Sequence, residues 1–406
     1  MYSDVKSFLF YFIAYSVALT FVGAEVIVAA AAPARASTNQ RAQPQSTLFG
    51  YHHSVPWTHN ASDLIAVDID GDLDSDLVGL AGYPQKLYVF KNQGAMNLAI
   101  SESLPYGGWG SQLAAADLDR DGSVDNLVGG HGDDTLVVLH NDGSGVLTVS
   151  QYIHVHTLAT PSRMRIAIAN LDADQYPDVV VGCAWQDSVR ILVNNGSGQL
   201  AETGVVPLSG NLTALAIGDA DGDGDVDMFT TMTLWPPVGG DTARLAVFMN
   251  DGSGSFAAPV SYSLPTRYCD YYTVTPVDID GDDDLDLAVT DTTYTYVVTF
   301  PNNGSGVFGS YSLWPTLMFL PVDLLADKFD GDNTVDLVIA GDQSINTLRG
   351  NGDGTFRDAL LDSTQVQHHW LAAADFDGDG DIDLASASPN RGTIEIWANN
   401  TICSDF

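Results

Sequence analysis

The sequence is 406 residues long, 45% hydrophobic and 17% charged, which is enough apolar material for a large folded body and too little charge for a disordered chain. Lys+Arg number 15 against 52 Asp+Glu, a formal net charge of -37, and this acidic excess excludes nucleic acid as a partner because phosphates need a cationic surface. Three cysteines (Cys183, Cys269 and Cys403) are too few for a disulfide framework, and Cys183, following a run of valines, reads as a small core residue.

In chain order, the first element is an export signal over residues 1–36. Lys6 precedes an apolar run from Phe8 to Val22, and small-residue cleavage sites follow at Ala24 and Ala36. The competing reading is an uncleaved membrane anchor, which Glu25 interrupts. Residues 37–45 form a linker, and no later segment is long and apolar enough to span a bilayer as a helix. The folded body is expected over 46–406, secreted or at the cell surface.

That body is repetitive. An apolar strand, an aspartate-rich loop and a second apolar strand recur seven times on a period of about fifty residues. The copies read DIDGDLDSDLV from Asp68, DLDRDGSVDNLV from Asp117, NLDADQYPDVV from Asn170 and DADGDGDVDMF from Asp219. They continue as DIDGDDDLDLAV from Asp278, KFDGDNTVDLV from Lys328 and DFDGDGDIDLA from Asp375. In phase with them runs a strand ending in a Gly/Asn turn, as in VVLHNDGSGVLT and AVFMNDGSGSFA, which marks a hairpin. Each repeat therefore holds four short strands, the signature of a propeller blade. The last repeat stops after its third strand, TIEIWANN, while an orphan strand, TLFGYHHSV (Thr47–Val55), precedes the first. Pairing the two predicts an all-β, seven-bladed β-propeller closed by the N-terminal strand joining the C-terminal blade.

The loops also predict chemistry. Carboxylates ~4–5 Å apart repel by ~3–4 kcal/mol per pair at an effective dielectric of ~20, and a hard divalent cation with oxygen ligands reverses that sign. Flexible coordination by six to eight oxygens suits Ca²⁺ better than Mg²⁺. EF-hand loops begin similarly but require a glutamate at position 12 and flanking helices, and neither is present.

These loops resemble those of the FG-GAP/VCBS repeat family, the calcium-binding propeller of the integrin-α-chain type, over roughly residues 46–400. The resemblance implies side-chain ligands at loop positions 1, 3, 5 and 9 and a backbone carbonyl at 7. Those ligands would be Asp68, Asp70, Asp72 and Asp76 in the first loop and Asp117, Asp119, Asp121 and Asp125 in the second. The third would use Asn170, Asp172, Asp174 and Asp178, and the fourth Asp219, Asp221, Asp223 and Asp227. The fifth would use Asp278, Asp280, Asp282 and Asp286, the sixth Asp330, Asp332 and Asp336, and the seventh Asp375, Asp377, Asp379 and Asp383. Asn170 weakens the third copy. Lys328 stands at position 1 of the sixth, with its own ammonium or the neighbouring Asp327 as substitutes, so five good Ca²⁺ sites, one weaker and one doubtful are expected.

Strand alternation puts the aspartate loops at one end of the ring and the second-to-third and blade-to-blade connections at the other. Those connections carry Trp57, Trp109, Trp185, Trp235, Trp314, Trp370, His368 and His369, flat apolar faces beside hydrogen-bonding groups. A non-catalytic binding module for glycan or extracellular protein is the leading expectation. A carbohydrate-active enzyme of the polysaccharide-lyase type and a structural or adhesive surface component are the alternatives. His52 and His53 could meet His368 and His369 across the ring closure. No nucleophile elbow, HExxH motif or phosphate loop is present.

Overall fold

A computed structural model describes residues 48–399, apart from short stretches at 58, 84, 107–108, 132–133, 156–162, 185, 239–240, 266–270, 293–294, 343, 358, 364–367 and 389–391. The expected signal and linker lie outside the described residues. The strands assemble into seven antiparallel sheets of four, each sheet one blade. Six blades run in simple sequence order from inner to outer edge. The seventh joins Trp370–Ala374, Asp383–Ala387 and Thr393–Asn399 to the N-terminal strand Phe49–Pro56. Tyr51 pairs with Trp397 and Pro56 with Thr393, so the ring closes as the orphan strand requires, and blade seven gains an outer strand where its edge would be bare.

The inner strands, one per blade, are Asn60–Val67, Trp109–Ala116, Met164–Ala169, Asn211–Gly218, Tyr271–Val277, Phe319–Asp327 and Trp370–Ala374. Each lies against the inner strands of both neighbouring blades, so the seven form a closed ring around an axis. The second strands are apolar on both faces and buried throughout, as in DVVVGC of Asp178–Cys183, because each is covered by a blade on either side. Outer strands alternate buried and exposed residues. The core is accordingly divided among seven apolar clusters, one in each seam between adjacent blades. Cys183 is buried in the seam of blades two and three.

Candidate metal loops and an axial cavity

Every aspartate loop joins the inner strand of a blade to its second strand, and all seven share one backbone path. Position 4 and position 6 have positive φ in every copy, whether or not glycine is there: Gly222 and Gly224 in the fourth loop, Arg120 and Gly122 in the second, Ala173 and Gln175 in the third. Leu73 and Asp283 adopt that conformation at position 6 of the first and fifth loops, although a side chain at φ > 0 costs roughly 1–2 kcal/mol. Side-chain hydrogen bonds enforce the path. In the fourth loop Asp219 accepts the N–H groups of Gly222 (2.8 Å) and Gly224 (3.0 Å), and Asp223 accepts that of Asp225 at 2.9 Å. Asp68, Asp278 and Asp375 repeat the first pattern.

Position 9 has a second role. The Asp227 carboxylate is buried and accepts the N–H of Ala220 at loop position 2 and that of Asn250 at the end of the third strand, both at 2.8 Å. The amide of Asn250 then donates to the carbonyl of Leu171 in the preceding blade at 2.9 Å. Asn92, Asn141, Asn194, Asn302 and Asn399 make the same bond to Phe376, Ile69, Leu118, Ala220 and Phe329. Six of the seven aspartate loops are thus tied to the next blade through an asparagine. Blade six has Gly350 at that position and lacks the latch.

The loops fit a cation by a test independent of sequence. The side-chain oxygens Asp70 Oδ1, Asp221 Oδ1 and Asp280 Oδ1, all at position 3, and Asn170 Oδ1 at position 1 are buried without a hydrogen-bond partner. A buried acceptor so left costs about 1–3 kcal/mol, more when charged, and a cation would satisfy it. In Asp68–Asp70–Asp76, Asp117–Asp119–Asp121, Asp219–Asp221–Asp227 and Asp278–Asp280–Asp282, one oxygen of each residue lies within 4.8 Å of the others. Burial pushes the carboxyls of Asp76, Asp227, Asp286 and Asp336 up to about 6 and that of Asp383 up to about 7, with neighbouring aspartates adding to the rise. Asp172, Asp174, Asp178, Asp377 and Asp379 occupy the corresponding positions of the third and seventh loops.

The loops differ in the side chains the chain itself sets against their carboxylates. Lys91 Nζ stands 2.9 Å from Asp70 in the first loop, and His140 Nδ1 stands 3.1 Å from Asp125 and 3.6 Å from Asp119 in the second. The sixth loop is the extreme case. Lys328 is exposed and Asp327 caps the Lys328 N–H. Arg357 instead bonds Asp332, lies 3.6 Å from Asp330 and donates Nε and Nη2 to the carbonyl of Gly350. Burial opposes ionisation of Asp332, but hydrogen bonds from Thr334 and Arg357 hold its carboxyl down at about 2. Sequence reading missed Arg357 because it follows the Gly turn of its repeat, twenty-five residues from Asp332 in the chain.

At the other end of the ring the aromatic expectation is partly corrected. Trp57 is 1% exposed. Its ring packs over Gly79, where a Cβ would come within 2.8 Å of it, and edge-on to Tyr88 and Phe90. Trp57 therefore belongs to the seam of blades seven and one, not to a ligand face. His368 is fully buried, bonded to Ser386 Oγ at 2.9 Å and packed on Trp397. The histidine pairs do not meet, because His52 and His53 lie on the outer strand of blade seven and His368 and His369 at its inner edge. Trp314 is half-buried between blades five and six, against Phe356, with Nε1 donating to Thr299. The side chains of Trp109, Trp185 and Trp235 lie outside the described residues.

Trp370 and His369, half-buried and stacked edge-on at 5.3 Å, line a cavity of about 260 Å³. The cavity lies on the ring axis, because all seven inner strands line it. Five residues before each aspartate loop stands one lining residue: Asp63, Gln112, Arg165 and Ala214 on blades one to four, then Thr273, Asp323 and Trp370 on blades five to seven. Several bind the neighbouring blade. Asp63 accepts the Leu113 N–H at 2.6 Å, Gln112 that of Ile166 at 3.0 Å and Asp323 that of Leu371 at 2.8 Å, while Arg165 Nε donates to the Thr213 carbonyl at 2.8 Å. Burial pushes the Asp63 carboxyl up to about 7 and the Asp323 carboxyl up to about 6, and each carboxylate feels the Arg165 charge. His369 is lowered by burial and by nearby Arg163.

The FG-GAP-like repeat model matches the sequence over residues 68–128, 170–230, 238–289 and 328–401. No curated protein matches the sequence significantly. Among solved structures, BBS1N in complex with ARL6DN is similar in fold, with 12% identity, 88% of this chain and 98% of that chain covered, and a TM-score of 0.62. An Agrocybe aegerita lectin that recognises non-reducing terminal N-acetylglucosamine aligns at 18% identity over 82% of this chain and 87% of its own, TM-score 0.54. A protein from Lactobacillus plantarum aligns at 16% identity over 77% and 87%, TM-score 0.61.

Proposed function

Because the chain belongs to the FG-GAP-like repeat family, we propose that it is an exported, calcium-clipped propeller acting as a non-catalytic module that binds glycan or extracellular protein at the end of the ring opposite the aspartate loops. The observation that carries this reading is the division of labour between the two ends. At one end the loops repeat a single backbone path and latch blade to blade, which is a scaffold's task. At the other, the connections share no motif and range from the short link between Asp342 and Ser344 to the long one between His154 and Met164. Binding surfaces are commonly built from such variable connections on a rigid frame.

Calcium, when bound, would supply a divalent charge and flexible oxygen coordination. Asp68, Asp70, Asp72 and Asp76 would hold it in the first loop, and the aligned residues in the others. The chain's own residues do the rest: position 1 and position 5 carboxylates fold the loop, and position 9 carries its order into the neighbouring blade. Export is supported by the Lys6-to-Ala36 signal pattern and by the family; among the described residues no helix is long and apolar enough to cross a membrane. Screening the purified protein on a glycan array with and without calcium tests the proposal. Calcium-dependent capture of a defined glycan class is expected. An empty array under both conditions, together with no capture of extracellular protein from a display library, would remove it.

A further inference from the structure

The outer edge of blade seven departs from its counterparts at one residue. In blades one, two and three the outer strand carries a bulge, with Ser101, Ser150 and Thr203 as the extra residue opposite the third strand. Each hydroxyl turns back and donates to a third-strand carbonyl, Ser101 to Val89 (3.3 Å), Ser150 to Val138 (3.2 Å) and Thr203 to Ile191 (3.5 Å). The closing strand keeps the bulge, since Tyr51 pairs with Trp397 and His53 with Ile396, but its extra residue is His52. An imidazole stands where the other blades place a hydroxyl. Successive residues of a regular strand point to opposite faces, so two histidines in a row ordinarily make no chelate. A bulge re-aims side chains. Here it brings His52 Nδ1 to 2.5 Å from His53 Nδ1, with the ring centroids 4.7 Å apart and the ring planes at 72°.

A single proton shared between the two nitrogens satisfies this contact. Once that proton leaves, two lone pairs converge on one point. Burial and the neighbouring ring lower the His53 imidazole from its ordinary value, which keeps its lone pair available at neutral pH. His52 is exposed and His53 half-buried, so the point is open to solvent. Imidazole nitrogens suit late transition ions, whereas Ca²⁺ and Mg²⁺ prefer oxygen, so the pair does not compete for the cation of the aspartate loops. The spacing discriminates further. At a metal–nitrogen distance of ~2.0 Å, two nitrogens at right angles stand ~2.8 Å apart and two at the tetrahedral angle ~3.3 Å. The pair is nearer the first, the angle of tetragonal Cu²⁺, which also leads the affinity order of the divalent series. We infer that His52 and His53 form a chelating site for a late transition-metal ion of the Cu²⁺ class on the rim of blade seven, with water or an incoming ligand completing the coordination. The site lies on a blade's outer edge and stands independently of glycan or protein binding at the end of the ring.

Titration of the untagged, full-length, calcium-saturated protein with Cu²⁺, followed by electron paramagnetic resonance, tests it. One equivalent is expected to bind ahead of all others, with hyperfine coupling to two ring nitrogens. Zn²⁺ should bind there at least about tenfold more weakly. His52→Gln and His53→Gln should each weaken that equivalent at least about tenfold, because the second nitrogen of a chelate acts at a high effective concentration. Both residues sit on the strand that closes the ring, so a melt in calcium accompanies each variant. Should a variant unfold, the parent protein decides: at substoichiometric Cu²⁺, paramagnetic broadening is expected first at the ring protons of His52 and His53. The inference is overturned if folded variants keep the first equivalent at parental affinity, if that equivalent couples to fewer than two nitrogens, if Zn²⁺ matches Cu²⁺, or if another histidine broadens first. The glycan array is read on separate probes, so either result stands without the other.

Discussion

At the residue scale, Asp63 and Asp323 show how one side chain serves packing and chemistry together. Each accepts two backbone N–H groups, one local and one from the next blade, while standing half-buried in the wall of the axial cavity. Both carboxyls sit above the ordinary carboxylate value, so between about pH 4 and pH 7 the folded chain holds protons that the unfolded chain has released. Their contribution to stability is complete below about pH 4 and is lost as pH rises through about 6 and 7. Melting temperature in saturating calcium should therefore fall over that window, and the Asp63→Asn/Asp323→Asn double variant should show a flatter slope. Equal slopes would mean that other groups govern the acid side. None of this was legible from the sequence. Asp63, Gln112, Arg165 and Trp370 share no residue type, only a distance from the next aspartate loop, and that distance acquires meaning only once the seven inner strands form a ring.

Elements were far more legible, because their signals are periodic. The strand–loop–strand core and the N-G-S-G turn fix strand order within a blade, and the incomplete last repeat fixes the closure. Exposure was not, since Trp57 and His368 are buried by the adjoining blade, whose approach no local pattern encodes. The asparagine ending six of the seven third strands was visible only as part of a turn. It proves to be the tie between blades, and Asn141 tests it. Its amide donates to Ile69 in the preceding blade and to Val124 in its own, and its Oδ1 accepts the N–H groups of Gly143 and Gly145. Asn141→Ala should cost about 1–3 kcal/mol in equilibrium unfolding, as for an orphaned buried partner. A loss within a few tenths would reduce the latch to decoration. Position 350 cannot be repaired in the same way, because a Cβ on Gly350 would lie 2.2 Å from the Val335 carbonyl oxygen.

For the whole molecule, the aspartate loops gather a large share of the negative charge at one end of the ring. Hydrogen bonds order each loop, but they leave position 3 oxygens of the first, fourth and fifth loops unpaired and position 9 carboxyls raised, and six of the seven loops report to the neighbouring blade. Cation removal should therefore act on the entire ring and not on isolated loops. Excess chelator is expected to lower the melting temperature by many degrees in a single transition, since a ligand that binds only the folded state stabilises it by mass action. An unchanged melt would count against the loops as calcium clips. The sixth loop, neutralised by Arg357, should contribute least to that loss.

The closing strand carries a consequence in time. Tyr51 is synthesised long before Trp397, its partner across the outermost pair of blade seven. Through nearly the whole of synthesis that strand has no sheet to join, and six blades can be complete while the ring still stands open. The last blade to form thus needs the first strand made, a contact of the longest range the domain contains, and such contacts pay their loop-closure entropy late. Maturation should end in one slow step that converts an open arc into a ring, and until that step the first strand must stay extended and available.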